Sequence, residues 1–273
     1  MIVGCGELGK LCIETLLPLG FKNFFLIDKM RRPLGPDHPN YDPRIDEIES
    51  HSKVDICKNL ILNHDKNANI ITEENGVRVQ DLSPSCAWAD LIFDNVGIHT
   101  RNGICAKLWI HRTAMYSRKP VIMPISINQQ LWIKTYDYRN PKLAILDGFY
   151  KEIEYAQTPV HTLLGPLLSV FSLKLETAEA LLAVMNKKFI DPYSMKHEMI
   201  TEHHWDLKNS THLLPSLLTP LMLYYLKYGK LAAEMKTELR SEDESPSLKS
   251  RASRFIKTQK IRKKLLEELR KNP

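Results

Sequence analysis

Short apolar runs alternate with amphipathic stretches along the first half of the chain. An apolar run at 1–3 and another at 24–27 enclose residues 10–20, whose apolar positions have helical spacing. Strands that alternate with helices predict an α/β fold with a mostly parallel sheet and helices on both faces. The elements expected downstream are a helix at 52–64, strands at 69–72 and 89–94, a helix at 101–117 and a strand at 120–125.

The second half of the chain shows a different pattern. Residues 126–160 combine aromatic side chains with short polar stretches, which predicts an antiparallel extension of the sheet. Apolar segments at 162–185 and 213–226 predict helices in the C-terminal part. The expected parts of the chain are a main domain at 1–190, a helical extension at 191–240, a linker at 241–250 and a basic amphipathic tail helix at 251–273.

A glycine-rich turn joins the first apolar run to the first helix. It has the spacing Gly-x-Gly-x-x-Gly, at Gly4, Gly6 and Gly9. In a strand–turn–helix unit the first glycine allows a tight turn, the second lets the backbone approach a phosphate, and the third lets the helix pack on the strand. Asp28 ends the second apolar run, where an acid accepts hydrogen bonds from ribose hydroxyls. These features predict a Rossmann-like nucleotide site at the start of the chain.

Composition and charge are those of an ordinary globular protein. Of the 273 residues, 43% are hydrophobic and 26% are charged, and no apolar run reaches the ~20 residues of a membrane-spanning helix. No basic-then-apolar signal region precedes the first strand. The net charge of +6 is concentrated in residues 249–273, which hold ten Lys or Arg and two Glu. Because aromatic residues do not interleave with these charges, nucleic-acid binding is not expected.

Cysteine usage indicates the redox state and limits the chemistry. The five cysteines lack paired spacing, which predicts free thiols in a reducing compartment and hence a cytoplasmic protein. Cys12 and Cys57 fall on core-facing helix positions, and Cys5 lies in the glycine turn. Cys86 falls in a predicted loop, where we expect it to be exposed, and the last cysteine is Cys105.

The order of several motifs resembles the ThiF/MoeB/HesA and ubiquitin-like modifier-activating superfamily. The resemblance covers roughly residues 1–186. The matching segments are the glycine turn through Asp28, Ser52-Lys53-Val54-Asp55 at the start of a helix, Asp94-Asn95 followed by Arg101, Lys119-Pro120-Val121-Ile122, and the helix that contains Gly165-Pro166.

This resemblance implies an activity and a set of partners. The activity is ATP-dependent adenylation of the C-terminal glycine of a ubiquitin-like or sulfur-carrier protein, with Mg²⁺ as a further cofactor. A second subunit or a homodimer is a further implied partner. Lys53 and Asp94 take the catalytic roles, because Lys53 would reach a phosphate and Asp94 would bind the metal. The implied cofactor-binding residues are Gly4, Gly6, Glu7, Gly9, Asp28, Lys53 and Asn95.

The sequence also departs from the family pattern. The family's Asn-x-x-Arg element is absent at the matching distance, where Pro39-Asn40-Tyr41 stands; the nearest arginines are Arg31, Arg32 and Arg44. Asp94 and Arg101 are seven residues apart rather than five. Either two residues are inserted here, or Gly97 occupies the metal position and Asp94 is only the acid at the end of the strand. No cysteine follows Cys105, so neither a distal thioester cysteine nor Cys-x-x-Cys zinc pairs are present. We therefore expect a divergent or truncated member.

Two other functions stay open on the sequence alone. The glycine turn and Asp28 suit an NAD(P)-dependent oxidoreductase equally well, although no obvious Lys, His or Tyr marks a hydride-transfer site. The missing arginine and cysteine suit a catalytically inactive relative that acts as a scaffold. Lys53 and the Gly165-Pro166 helix favour the adenylating enzyme.

Overall fold

The computed structural model describes residues 1–29, 31–32, 51–77, 79–98, 100–127, 130–154, 163–171, 178, 182 and 213–231. The predicted linker at 241–250 and tail helix at 251–273 lie outside these residues, as do Asn40 and Arg44. By its internal contacts the chain divides into two units. The first comprises 1–97, 109–143 and 206–237, and the second comprises 98–108, 144–205 and 238–273.

The first unit contains a six-stranded mixed sheet. Its strands are β1 (Ile2–Val3), β2 (Asn23–Ile27), β5 (Asn69–Glu73), β6 (Ile92–Asp94), β7 (Pro120–Ile127) and β8 (Gln130–Asp137). A separate antiparallel pair is formed by β3 (Arg31–Arg32) and β4 (His51–Ser52). The order in the sheet is β5-β2-β1-β6-β7-β8, and only β8 is antiparallel to its neighbour. This is the strand order of a Rossmann fold, so the predicted α/β class and its antiparallel extension are confirmed.

The described helices differ in length and in the unit to which they belong. They are α1 (Glu7–Leu16), α2 (Lys53–His64), α3 (Val79–Trp88), α4 (Arg101–Tyr116), α5 (Tyr150–Glu154), α6 (Leu164–Ser169) and α7 (Leu214–Tyr228), with short 3-10 turns at Leu17–Leu19 and Ile145–Gly148. Helix α7 belongs to the first unit, and α5 and α6 belong to the second. None of the helices described is both long and apolar enough to cross a membrane.

The core of the first unit joins residues from distant parts of the chain. Helix α1 packs against α7, and both contribute to one buried apolar cluster with β2. Ile13 and Leu218 have no exposed surface, and neither does Leu26 of β2. Burial of each such side chain stabilises the folded state by roughly 1.5–3 kcal/mol. The predicted helical C-terminal part is therefore confirmed, and it forms part of the main core.

Helix α3 is an element that the sequence pattern did not reveal. It continues through Pro84, which lacks the N–H needed for an intrahelical hydrogen bond and usually interrupts a helix. Cys86 lies in this helix and has no exposed surface. The expectation of an exposed Cys86 in a loop is therefore wrong, because a proline is tolerated within this helix.

Candidate nucleotide-binding site at the carboxyl edge of the sheet

The candidate site lies where the sheet reverses its strand order. Strand β1 pairs with β2 on one side and with β6 on the other, all in parallel. The carboxyl ends of these three strands therefore meet at one edge of the sheet. Open α/β sheets bind ligands at such a switch point.

Glycine geometry shapes the turn between β1 and α1. Gly4 has φ +90°, a conformation that favours glycine, and its N–H donates to the carbonyl of Ile27 at 2.8 Å. A Cβ on Gly9 would lie 2.1 Å from the carbonyl oxygen of Gly4, so only glycine lets α1 begin this close to the turn. A Cβ on Gly6 would meet no atom of the part of the chain that the structure describes within 4 Å. The backbone at Gly6 thus borders open space.

The amino end of α1 faces this turn without a side-chain cap. Gly6 occupies the N-cap position, and among the described residues no side chain forms a capping hydrogen bond there. The first N–H groups of a helix have no partner within the helix, and together with the helix dipole they attract an anion. Glu7 stands exposed in the first turn. The turn therefore has the geometry of a phosphate-binding loop.

Asp28 is fixed to the turn by a hydrogen bond. Its Oδ2 accepts the N–H of Cys5 at 2.7 Å, and its own N–H donates to the carbonyl of Glu73 at 3.1 Å. The predicted ribose-binding acid and the predicted phosphate-binding turn are thus brought together. The carboxylate is already oriented at the edge of the sheet.

Lys53 begins the helix that packs beside the turn. Ser52 precedes it with an extended backbone, but the side chain of Ser52 makes no capping hydrogen bond. Cys57, one helical turn after Lys53, places its Sγ 3.8 Å from the carbonyl oxygen of Cys5. The pKa of the Cys5 thiol is raised by its hydrogen bond with Cys57, by burial and by the charge of Asp28, whereas the charge of Lys53 acts in the opposite direction. Both Lys53 and Asp28 therefore act electrostatically on the turn.

Asp94 is buried, and its carboxylate contacts the backbone at Val96 and the ring of His111. Its carboxylate has no exposed surface; Oδ1 accepts the N–H of Val96 at 3.2 Å, and Oδ2 lies 3.3 Å from Nε2 of His111. The other ring nitrogen of His111, Nδ1, lies 2.7 Å from the hydroxyl of Tyr138. Mg²⁺ requires octahedral oxygen ligands and usually keeps several waters. In this arrangement Asp94 does not fit a hydrated Mg²⁺ ion.

Asn95 forms a wall of the glycine turn. Its N–H donates to the carbonyl of Val3 at 2.8 Å, and its Oδ1 accepts a hydrogen bond from the thiol of Cys12 at 3.4 Å. Its backbone carbon and oxygen lie 2.8 Å from the position that a Cβ on Gly4 would take. Because its side chain bonds to Cys12 and its backbone lies against Gly4, Asn95 helps to shape the turn.

The structure thus assembles most of the predicted residues and adds two. The carboxyl edge of the sheet brings together the glycine turn, Asp28, Asn95 and the Lys53 end of α2. His111 and Tyr138 were missed, because they lie far from Asp94 in the sequence and no local pattern links the three. Within the described part of the chain, no group of three or more His, Cys, Asp or Glu is placed to hold a metal ion.

Comparisons with known proteins give matches at the level of structure. No protein-family model and no curated protein matches the sequence. PaaA is similar with 21% identity over 51% of this chain and 41% of its own, at a TM-score of 0.39. E. coli MccB, crystallised with MccA, is similar with 16% identity over 71% of this chain and 55% of its own, at a TM-score of 0.41.

A third similar structure is that of E. coli TcdA, a tRNA N6-threonylcarbamoyladenosine dehydratase crystallised with AMP. It shares 12% identity over 47% of this chain and 50% of its own, at a TM-score of 0.37. The chain therefore spans only about half the length of these proteins. All three are ThiF-family enzymes. Because the identities are below 25% and the TM-scores below 0.5, nothing about the function of this chain follows from these likenesses.

Proposed function

We propose that this chain binds ATP at the glycine turn and adenylates the C-terminal glycine of a ubiquitin-like or sulfur-carrier protein, alone or as the non-thioester subunit of an activating enzyme. The observation that carries the proposal is the uncapped amino end of α1, which borders open space at Gly6 beside the fixed carboxylate of Asp28. The motif order from Gly4 to Gly165 supports ATP as the nucleotide.

Each residue at the edge has a distinct task in this proposal. The N–H groups at the start of α1 hold phosphate oxygens, and Asp28 accepts hydrogen bonds from the ribose while Cys5 holds it in place. Lys53 neutralises phosphate charge as it develops. An oxygen of the carrier's terminal carboxylate attacks the α-phosphorus, the bond to the bridging oxygen breaks, and pyrophosphate leaves. No metal is assigned to Asp94 in this scheme.

An NAD(P)-dependent oxidoreductase is the second candidate, since Asp28 at the end of β2 suits either ribose. Calorimetric titration of the chain with ATP, NAD and NADP distinguishes the candidates. We expect binding of ATP. Binding of NAD or NADP without ATP would replace adenylation by hydride transfer, and binding of none of the three would leave the inactive scaffold.

A lysine variant tests the phosphate contact. Lys53→Met should weaken ATP binding by about tenfold, the cost of one hydrogen bond to a charged group, and should leave adenosine binding unchanged. Lys58→Met, on the same helix but on a different face, is the matched control. Exchange of labelled pyrophosphate into ATP, stimulated by a ubiquitin-like or sulfur-carrier protein, then tests the chemical step.

A further inference from the structure

A buried row of three polar side chains joins three elements of the first unit. Asp94 ends β6, His111 lies on α4, and Tyr138 directly follows β8. Asp94 and His111 have no exposed surface, and Tyr138 is 1% exposed. His111 Nδ1 and the Tyr138 hydroxyl are at hydrogen-bond distance, 2.7 Å, whereas His111 Nε2 and Asp94 Oδ2 are at an ion-pair distance of 3.3 Å without hydrogen-bond geometry. Because buried polar groups cost free energy unless they are paired, each member of this row depends on the next.

Aromatic contacts fix the orientation of the histidine ring. The ring of Tyr136 meets His111 edge-on at 4.8 Å, and the ring of Tyr138 meets it edge-on at 5.7 Å. The two tyrosine rings stack on each other at 5.7 Å. Rotation of His111 would disturb these contacts, so its Nε2 is held toward Asp94 while Nδ1 is held toward the hydroxyl of Tyr138.

At the Asp94 end, the row of buried polar side chains reaches the candidate site through the backbone. Asp94 Oδ1 accepts the N–H of Val96, which closes a short turn over 94–96. Asn95, the middle residue of that turn, has its backbone against Gly4. The shape of the 94–96 turn therefore sets the room that is available to the glycine turn.

We propose that His111 and Tyr138 are positioning residues, which hold the Asp94 carboxylate as a cap for the 94–96 turn and thereby shape the glycine turn. This assigns Asp94 a backbone partner in place of the magnesium ion that the family resemblance implies. The consequence for ligand binding rests on the proposed nucleotide site, whereas the consequence for the 94–96 turn does not.

Hydrogen exchange tests the positioning role without any ligand. In the full chain, Tyr138→Phe and His111→Gln should each speed exchange of the Val96 amide by about fivefold, which corresponds to one hydrogen bond of about 1 kcal/mol. Tyr116→Phe is the control for the first variant, because Tyr116 is 85% exposed on the same helix as His111. His64→Gln, at the exposed end of α2, is the control for the second.

The pattern of exchange separates positioning from a general loss of stability. Global destabilisation would speed exchange in every protected segment, including β2 and β5, whereas positioning confines the increase to the peptide that contains Val96. Unchanged exchange at Val96 in the mild Tyr138→Phe variant would overturn the proposal. That variant removes a single oxygen, so it keeps the test informative if His111→Gln does not fold.

Nucleotide affinity with and without magnesium provides the second test. Asp94→Asn and Tyr138→Phe should weaken ATP binding by the same factor, about fivefold, in Mg²⁺ and in EDTA, because the effect passes through the turn. Asp90→Asn, exposed before the opposite end of β6, is the control. A loss confined to Mg²⁺ would make Asp94 a metal ligand and overturn the proposal. If the unaltered chain binds no nucleotide, the proposed function fails and hydrogen exchange alone decides the positioning role.

Discussion

The carboxylate of Asp28 has two possible tasks that share one position. It accepts the Cys5 N–H at 2.7 Å and so braces the glycine turn, and in the proposed function it also accepts hydrogen bonds from the ribose. A hydrogen bond to a charged group contributes roughly 1.5–3 kcal/mol. Loss of this side chain should therefore affect any nucleotide that uses the turn.

Asp28→Ala should weaken the binding of ATP, or of NAD if that is the ligand, by about tenfold or more. The variant loses the brace on the turn and the acceptor for the ribose at once. Isothermal titration calorimetry measures the effect, and Asp90→Ala at the opposite edge of the sheet is the control. Equal affinities for the Asp28→Ala variant and the unaltered chain would remove Asp28 from the site.

At the residue scale, the sequence predicted the parts of the site that depend on local spacing. Gly4, Gly6, Gly9 and Asp28 belong to one strand–turn–helix–strand unit, so their neighbourhood follows from secondary structure alone. The contact between Asp94 and His111 depends on how β6 and α4 pack, and sequence spacing carries no information about it.

At the scale of elements, the turn between β1 and α1 contains one glycine that packing requires and one that borders open space. A Cβ on Gly9 would collide with the backbone of Gly4, whereas a Cβ on Gly6 would enter open space. Gly6 has φ −74°, which any residue can adopt. The two glycines should therefore fail in different ways when they are substituted.

Gly9→Ala should destabilise the fold by about 1–3 kcal/mol, as overpacking usually does. Gly6→Ala should change the free energy of unfolding by no more than about 0.5 kcal/mol, as surface substitutions usually do. It should still lose ATP affinity, because its methyl group occupies the proposed phosphate space. Thermal unfolding and calorimetry on both variants check this pair. A Gly6→Ala variant that binds ATP normally would show that phosphate does not approach there.

Helix α7 supplies another test at the scale of elements. Leu221 is fully buried in the cluster that α7 shares with α1, whereas Leu223 is 53% exposed on the same helix. Leu221→Ala should cost about 2–5 kcal/mol of unfolding free energy, and Leu223→Ala should cost little. Denaturant unfolding of the two variants measures the difference, and similar values for both would mean that α7 does not close the core.

The sequence pattern predicted elements well where apolar spacing was regular and poorly where it was not. Strands β2 and β7 and helix α2 follow from such spacing. Helix α3 was not predicted, and its Pro84 is a residue that helix interiors rarely contain. The buried position of Cys86 was missed because the helix that holds it was not predicted.

At the scale of the whole molecule, the placement of the thiols limits what the chain can do by itself. Cys5, Cys12, Cys57 and Cys86 are buried, and Cys105 is partly exposed. Burial raises the pKa of Cys86 to about 11, and it also raises the pKa of Cys12 and of Cys105. A thioester requires a thiolate, so none of these three thiols is activated for that step.

We therefore expect the purified chain, incubated with ATP and a ubiquitin-like protein, to form no covalent adduct that a reductant releases. Intact-mass spectrometry before and after reduction gives the readout. Cys105→Ser is the informative variant because Cys105 is the most accessible of the five thiols. An adduct that this variant abolishes would establish thioester chemistry on the chain itself.

The packing of α7 on α1 has a consequence for the order of events during synthesis. The core cluster joins residues near the start of the chain, such as Ile13, to Leu221, about two hundred positions later. A ribosome that adds 5–20 residues per second needs on the order of 10–40 s to cover that distance. During this interval α1 lacks the helix that packs against it. The emerging first unit therefore exposes the apolar face of α1, which chaperones can bind, until α7 has left the exit tunnel.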